Sequence, residues 1–120
     1  PDGGGTYLLP RLVGTGRALE MMCTGADVDA KKAVEIGLAN QIFPAESFMD
    51  EVLKYAHALS QKSPLALRLG KRAMLTALDS TYDESLAREA ELQKQILESE
   101  DGAEGFLSFV EKRAPVWKAR

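Results

Sequence analysis

The sequence is poor in the residues that build covalent and metal-bound sites. Its 120 residues include one cysteine, Cys23, one histidine, His57, and one tryptophan. A single cysteine excludes an intramolecular disulfide. Cys23 falls in the apolar run ALEMMC, where a small buried side chain is the expected reading. A catalytic thiol would want a base nearby, and His57 stands far along the chain. Without a Cys/His cluster or an HExxH pattern, no transition-metal site is expected. The run GGG lacks the Lys-Ser/Thr ending of a phosphate loop, and no spacing supports a Ser-His-Asp set. A basic excess is also missing: 15 Lys and Arg stand against 18 Asp and Glu, a formal charge of −3, which argues against a nucleic-acid partner. No apolar run reaches membrane-spanning length and the opening does not read as a signal peptide, so no membrane partner is expected. The sparse cysteine agrees with a cytoplasmic setting. There is no internal repeat and no low-complexity tract.

What is present is ordinary globular material, 45% hydrophobic and 28% charged, enough for a modest core. The apolar spacing reads as mainly α. A first helix is expected over 15–23 with Ala18, Met21 and Met22 on one face, and a short one over 29–36, capped by Asp29 and stopped by Gly37. LANQIF follows as a short extended segment ending at Pro44. A helix over 45–61 is expected to bury Phe48, Val52, Ala56 and Leu59. Ser63-Pro64 is a restart signal for a helix to about Leu78, with Leu67, Lys71, Met74 and Leu78 in line. Thr81 and Glu84 have capping-box spacing and open a helix to about Glu98. Asp101 and Glu104 repeat that spacing before a final helix carrying Ala103, Phe106, Leu107 and Val110. The charges from Asp83 to Glu91 read as a solvated helix face.

Two places can carry chemistry. In PDGGGTYLLPRLVG, one acid sits between a proline and three glycines, directly before an apolar segment. Pro1 fixes its own φ, and Gly3, Gly4 and Gly5 permit backbone shapes other residues resist. The plain reading is a surface turn. The chemical reading is a carboxylate, Asp2, brought close to a substrate and desolvated by apolar neighbours. Desolvation makes an acid a better proton carrier near neutrality. At the other end, Lys112 and Arg113 close an amphipathic helix. They suit the helix dipole, and they also suit a phosphate. A glycine-rich turn opening onto an apolar helix, with no initiating methionine, reads as the interior of a longer protein.

Three motifs in this order carry a resemblance: the P-x-x-G-G-T turn at the start, TG-x-x-x-x-A-x-x-A-x-x-x-G-L within MCTGADVDAKKAVEIGLANQIFP, and EG-x-x-x-F-x-EKR-x-P near the end. Each is weak alone. Together they resemble the C-terminal half of the crotonase superfamily, the enoyl-CoA hydratase/isomerase family, over essentially the whole chain. The resemblance implies the helical C-terminal portion of a crotonase-type fold. Residues 1–43 would be the end of the spiral core, with the active-site turn and two short helices. Residues 44–120 would be the helical trimerisation region.

The resemblance also implies an acyl-CoA partner. Family members bind acyl-CoA thioesters and stabilise an enolate with two backbone amides of the N-terminal spiral domain. Coenzyme A enters as the substrate's carrier, and no other cofactor is implied. In hydratases two glutamates handle the water; neither falls within this sequence. The position of Asp2 is typically glycine in hydratases, and Glu or Asp in isomerase branches, where it moves a proton between acyl carbons. PD-x-GGT-x-LLPRL looks most like the phenylacetate-pathway and Δ3,Δ2-enoyl-CoA isomerases. Asp2 is therefore the expected catalytic residue. Lys112 matches the family lysine that reaches CoA phosphates, and Arg113 is expected to be structural. A homo-trimer or hexamer of the full-length protein is implied, with the isolated 120 residues inactive. The alternative is a non-catalytic crotonase-like oligomerisation or scaffold module; an unrelated helical bundle is the third reading.

Overall fold

The computed structural model describes residues 2–119. Pro1, expected to set the first φ of the turn, lies outside them. Among the described residues there are seven α-helices and no strand. They are α1 (Gly5–Val13), α2 (Thr15–Thr24), α3 (Ala30–Glu35), α4 (Phe48–Ser60, preceded by a 3-10 turn Ala45–Ser47), α5 (Pro64–Ala77), α6 (Tyr82–Leu97) and α7 (Glu100–Glu111). Two compact units divide them, one up to Val52 and one from Leu53.

In the first unit the spacing argument gives helix bounds only from Thr15, and the apolar helix expected after the glycine turn is α1, Gly5–Val13. Pro10 stands inside α1. It has no N–H to return to the carbonyl of Thr6, a loss that a short helix can carry. Gly14, at φ 83° and ψ 153°, separates α1 from α2. Val13, Ala18 and Ile36 form the buried core, with Leu9, Met21, Val28 and Leu38 packed against it. Met22, expected inward beside Met21, is exposed, and so is Cys23. The buried stripe of α2 is only Ala18 and Met21 wide, so Cys23 faces outward. Asp29 caps α3 as expected, accepting from the Lys32 N–H at 2.8 Å. Gly37 ends it at φ 80°, the left-handed conformation that suits glycine. LANQIF is not a strand: the Leu38 and Ala39 N–H groups both turn back to the Ala33 carbonyl, at 2.8 and 3.0 Å.

The second unit is built on caps. Ser63 accepts from the Ala66 N–H ahead of Pro64. Thr81 and Glu84 form the full reciprocal box. The carboxylate of Glu84 is held below the usual range, chiefly by the Thr81 backbone N–H and then by its hydroxyl. The core is small: Leu65 and Leu69 of α5 against Leu92 of α6, with Ala73 and Ile96 alongside.

Three expected apolar faces are therefore corrected. Phe48 and Leu59 of α4 are exposed, as is Ala56, and Val52 is half-buried. On α5 the buried line is Leu65-Leu69-Ala73, while Leu67, Met74 and Leu78 are exposed. The helix has apolar residues on two sides, and α6 covers only one. On α7, Phe106, Leu107 and Val110 are exposed. Periodicity identified faces that are apolar, and the described residues do not cover all of them.

The cap of α7 is Ser99, whose hydroxyl accepts from the Gly102 N–H at 2.9 Å. Asp101, expected as the cap, lies inside the first turn and is buried at 2% exposure. It turns away from its own helix end to hold the C-terminal segment. The charges from Asp83 to Glu91 face solvent apart from Arg88, which is half-buried and reaches the hydroxyls of Thr76 and Ser80.

Candidate functional site

The opening turn is closed by backbone geometry alone. Gly3 and Gly4 have φ of 56° and 84°, left-handed values at which most side chains are strained. The Asp2 carbonyl accepts from the Gly5 N–H, and the Gly4 carbonyl from the Tyr7 and Leu8 N–H groups, all at 3.0 Å. Asp2 thus stands directly before the N-terminus of α1. Its side chain is exposed in this chain, so the desolvation expected of it is not supplied by the described residues.

A groove begins at Gly5, just past the turn, and Asp2 is not among its lining residues. Gly5, Thr6, Leu9 and Pro10 of α1 form one wall, and Ala18, Leu19 and Met22 of α2 the other, around a volume of about 550 Å³. That is the size and apolar character of a small-molecule site. The small residues of the lining, Gly5, Thr6, Ala18, Gly25 and Ala26, leave this space beside two helices joined at Gly14. On α1, Arg11 stacks its guanidinium 3.5 Å from the centre of the Tyr7 ring and donates to the Tyr7 carbonyl.

The second candidate residue lies in the other unit. Lys112 is the residue just past α7, at φ 54° and ψ 39°. Its N–H donates to the Phe109 carbonyl and that of Arg113 to the Ser108 carbonyl, the double closure of a Schellman motif. Arg113 is structural, as expected. It donates to both oxygens of Glu104, at 2.5 and 2.9 Å, and through Nε to Glu111 at 2.6 Å. The fork from Arg113, then the Val116 N–H, takes the Glu104 carboxyl down to about 2, while Glu104 and Glu111 hold the Arg113 guanidinium above its usual range.

Two polar anchors escaped the sequence reading. Asp101 accepts from the Lys118 and Ala119 N–H groups at 2.7 and 3.1 Å and from the Ser63 hydroxyl at 3.0 Å. Burial alone would raise its carboxyl, but those donors outweigh it and the net shift is downward. Glu104 accepts from the Val116 N–H at 2.7 Å. Trp117 lays its ring over Gly105 and donates from Nε1 to the Gln61 carbonyl at 2.8 Å. The available signal was the spacing of Asp101 and Glu104, one helical turn apart and followed by a basic tail. The same spacing also reads as a capping box, a role that Ser99 fills instead.

Comparison with known proteins decides the family. The family model for enoyl-CoA hydratase/isomerase matches residues 1–120. The chain belongs to the enoyl-CoA hydratase/isomerase family. Among its relatives, a protein named as a probable enoyl-CoA hydratase of Mycobacterium bovis is 35% identical over 120 residues, all of this chain and 47% of its own length. A mitochondrial Δ(3,5)-Δ(2,4)-dienoyl-CoA isomerase of Dictyostelium discoideum is 37% identical over 118 residues, 98% of this chain and 40% of its own length. The crystal structure of an enoyl-CoA hydratase from Bacillus anthracis superposes with a TM-score of 0.95 at 32% identity, covering all of this chain and 46% of that one. The chain spans about half the length of the curated relatives it matches, and its helices are the helical C-terminal portion of the crotonase-type fold. Among the described residues no helix is long and apolar enough to cross a membrane.

Proposed function

We propose that this chain is the C-terminal portion of an acyl-CoA enzyme that shifts a double bond, or adds water to one, through a stabilised thioester enolate, with isomerisation favoured. One observation carries the preference. Asp2 stands on a turn of two left-handed glycines, three residues before Gly5, the first residue of a helix that walls a 550 Å³ apolar groove, a placement that favours a carboxylate acting on an acyl chain. In the step assigned to it, the Asp2 carboxylate takes a proton from the carbon beside the thioester carbonyl. The C–H electron pair moves toward the carbonyl oxygen as a dienolate. The carboxylic acid then returns the proton two carbons farther along, so the net composition is unchanged. The amides that hold the enolate oxygen belong to the rest of a full-length family chain, which also supplies the desolvation that these residues do not. No cofactor beyond the coenzyme A thioester is needed.

Residues 1–43 then serve as the end of the spiral core and residues 44–120 as the trimerisation region. The exposed apolar side chains of α4 to α7, Met74, Leu78, Phe106 and Phe109 among them, support assembly into a trimer or hexamer. They equally favour the second reading, a non-catalytic oligomerisation module. In both readings Lys112 contacts a phosphate of coenzyme A if a thioester binds, and the isolated 120 residues turn over no enoyl-CoA.

The test supplies the full-length protein with a β,γ-unsaturated and an α,β-unsaturated acyl-CoA thioester. Conversion of the first into the second without 3-hydroxyacyl product is expected. Accumulation of 3-hydroxyacyl-CoA would overturn the isomerase preference, and absence of any turnover would favour the scaffold reading.

A further inference from the structure

Lys112 occupies a position where a lysine is a poor choice for the backbone. A helix closed by a Schellman motif places its next residue in the left-handed region, and glycine takes that place without a Cβ penalty. At the end of α3 it does: Gly37, at φ 80°, is followed by a Leu38 N–H that donates to the Ala33 carbonyl at 2.8 Å. At the end of α7 the same closure, Arg113 N–H to Ser108 carbonyl at 3.1 Å, is built around Lys112 at φ 54°. A strained residue persists when its surroundings over-determine it. Those surroundings are visible. Arg113, the very next residue, is gripped by both oxygens of Glu104 and by Glu111. Glu104 in turn holds the Val116 N–H, so the chain is fixed for several residues past the corner. Both neighbouring carboxylates are thereby engaged by Arg113, and among the described residues Lys112 forms no ion pair.

We propose that Glu104 and Arg113 are positioning residues, which hold Lys112 in its left-handed corner so that its ammonium is presented, unneutralised, to a phosphate group of the bound ligand. This rests on the reading of Lys112 as a coenzyme A contact and extends it to two residues that need not touch the ligand. The bidentate fork is the operative feature. A planar guanidinium on a carboxylate fixes direction as well as distance, which an ammonium at the same place does not.

The experiment measures the affinity of the full-length protein for free coenzyme A by calorimetry, in a double-mutant cycle. Lys112→Ala is expected to weaken binding about tenfold, the loss of one charge-assisted contact. Glu104→Gln is expected to weaken it by a large part of that factor, raising KM with kcat within about twofold. In the Lys112→Ala background, Glu104→Gln should then cost nothing more. Equal losses in both backgrounds, or no loss from Glu104→Gln alone, would overturn the positioning role while leaving the Lys112 contact intact. No loss from Lys112→Ala would instead overturn the contact itself. Should Glu104→Gln fail to fold, Arg113→Lys keeps the charge, removes the fork and completes the same cycle.

Discussion

The two units of this chain reach order by different means. Up to Val52 the ordering is done mostly by backbone shape, with Asp29 as the side-chain cap of α3. Glycines at positive φ close the opening turn and the ends of α2 and α3, and a small aliphatic core of Val13, Ala18 and Ile36 sits between them. Beyond Leu53 the ordering is done by side-chain oxygens. Ser63, Thr81 and Ser99 cap the helices, while Asp101 and Glu104 bind a tail that has no regular structure of its own. The difference teaches where each unit is vulnerable. The first is sensitive to φ, the second to charge and to close backbone approach.

Gly102 gives the largest test of that contrast. A Cβ there would lie 1.9 Å from the Ile96 carbonyl oxygen, a backbone atom that cannot swing aside. Gly102→Ala is expected to destabilise by about 3 kcal/mol or more, the upper end of overpacking costs, read from the urea midpoint. Gly105→Ala, three residues on in the same helix, would place its Cβ 3.5 Å from the Trp117 ring. That is ordinary contact, and this variant should be neutral or stabilising by up to about 1 kcal/mol. Equal losses at both positions would refute the close-approach argument.

Leu69→Ala comes next, because Leu69 is 5% exposed in a core of only three buried residues. A loss of about 2–4 kcal/mol is expected. A loss under about 1 kcal/mol would mean that α5 and α6 are held by something other than this contact.

The acid range separates the units further. Glu104 has its carboxyl carried from an ordinary 4.5 to about 2, and Asp101 and Glu84 shift in the same direction. Groups lowered in the folded state bind fewer protons than in the unfolded state. Their contribution is therefore complete above pH 4.5 and is lost as the pH falls toward about 2. The fluorescence of the sole tryptophan, Trp117, should report the tail's release in that window. A signal independent of pH from 5 down to 2 would contradict the role of these carboxylates.

The smallest effects have opposite signs. Gly37→Ala should cost about 1 kcal/mol at a left-handed position, and Lys112→Gly should return a similar amount. If Lys112→Gly destabilised the fold, the lysine would be at ease in its corner and the idea of a retained strain would fall.

Much of the fold was legible, and the losses have physical causes. Caps were readable because they are local: Asp29, Ser63 and the Thr81–Glu84 pair each act within a few residues of themselves. Facing was not. Apolar spacing marks a helix side but cannot tell a side that meets α6 from one that meets nothing among the described residues, as Leu69 and Leu67 differ. Asp101 was misread for a related reason: its partners, Lys118 and Ala119, are 17 and 18 residues away. Of the candidate site, the glycine turn and its acid were visible in six letters. The groove beside it needed the packing of α1 on α2, which no local pattern specifies.

The central claim is that the acid on the opening corner moves the proton. Asp2→Asn in the full-length protein measures it directly, with a β,γ-unsaturated thioester as substrate. The account predicts a fall in isomerisation of about 10²–10⁴-fold, with coenzyme A affinity unchanged within a few-fold. Isomerisation at the wild-type rate would contradict it.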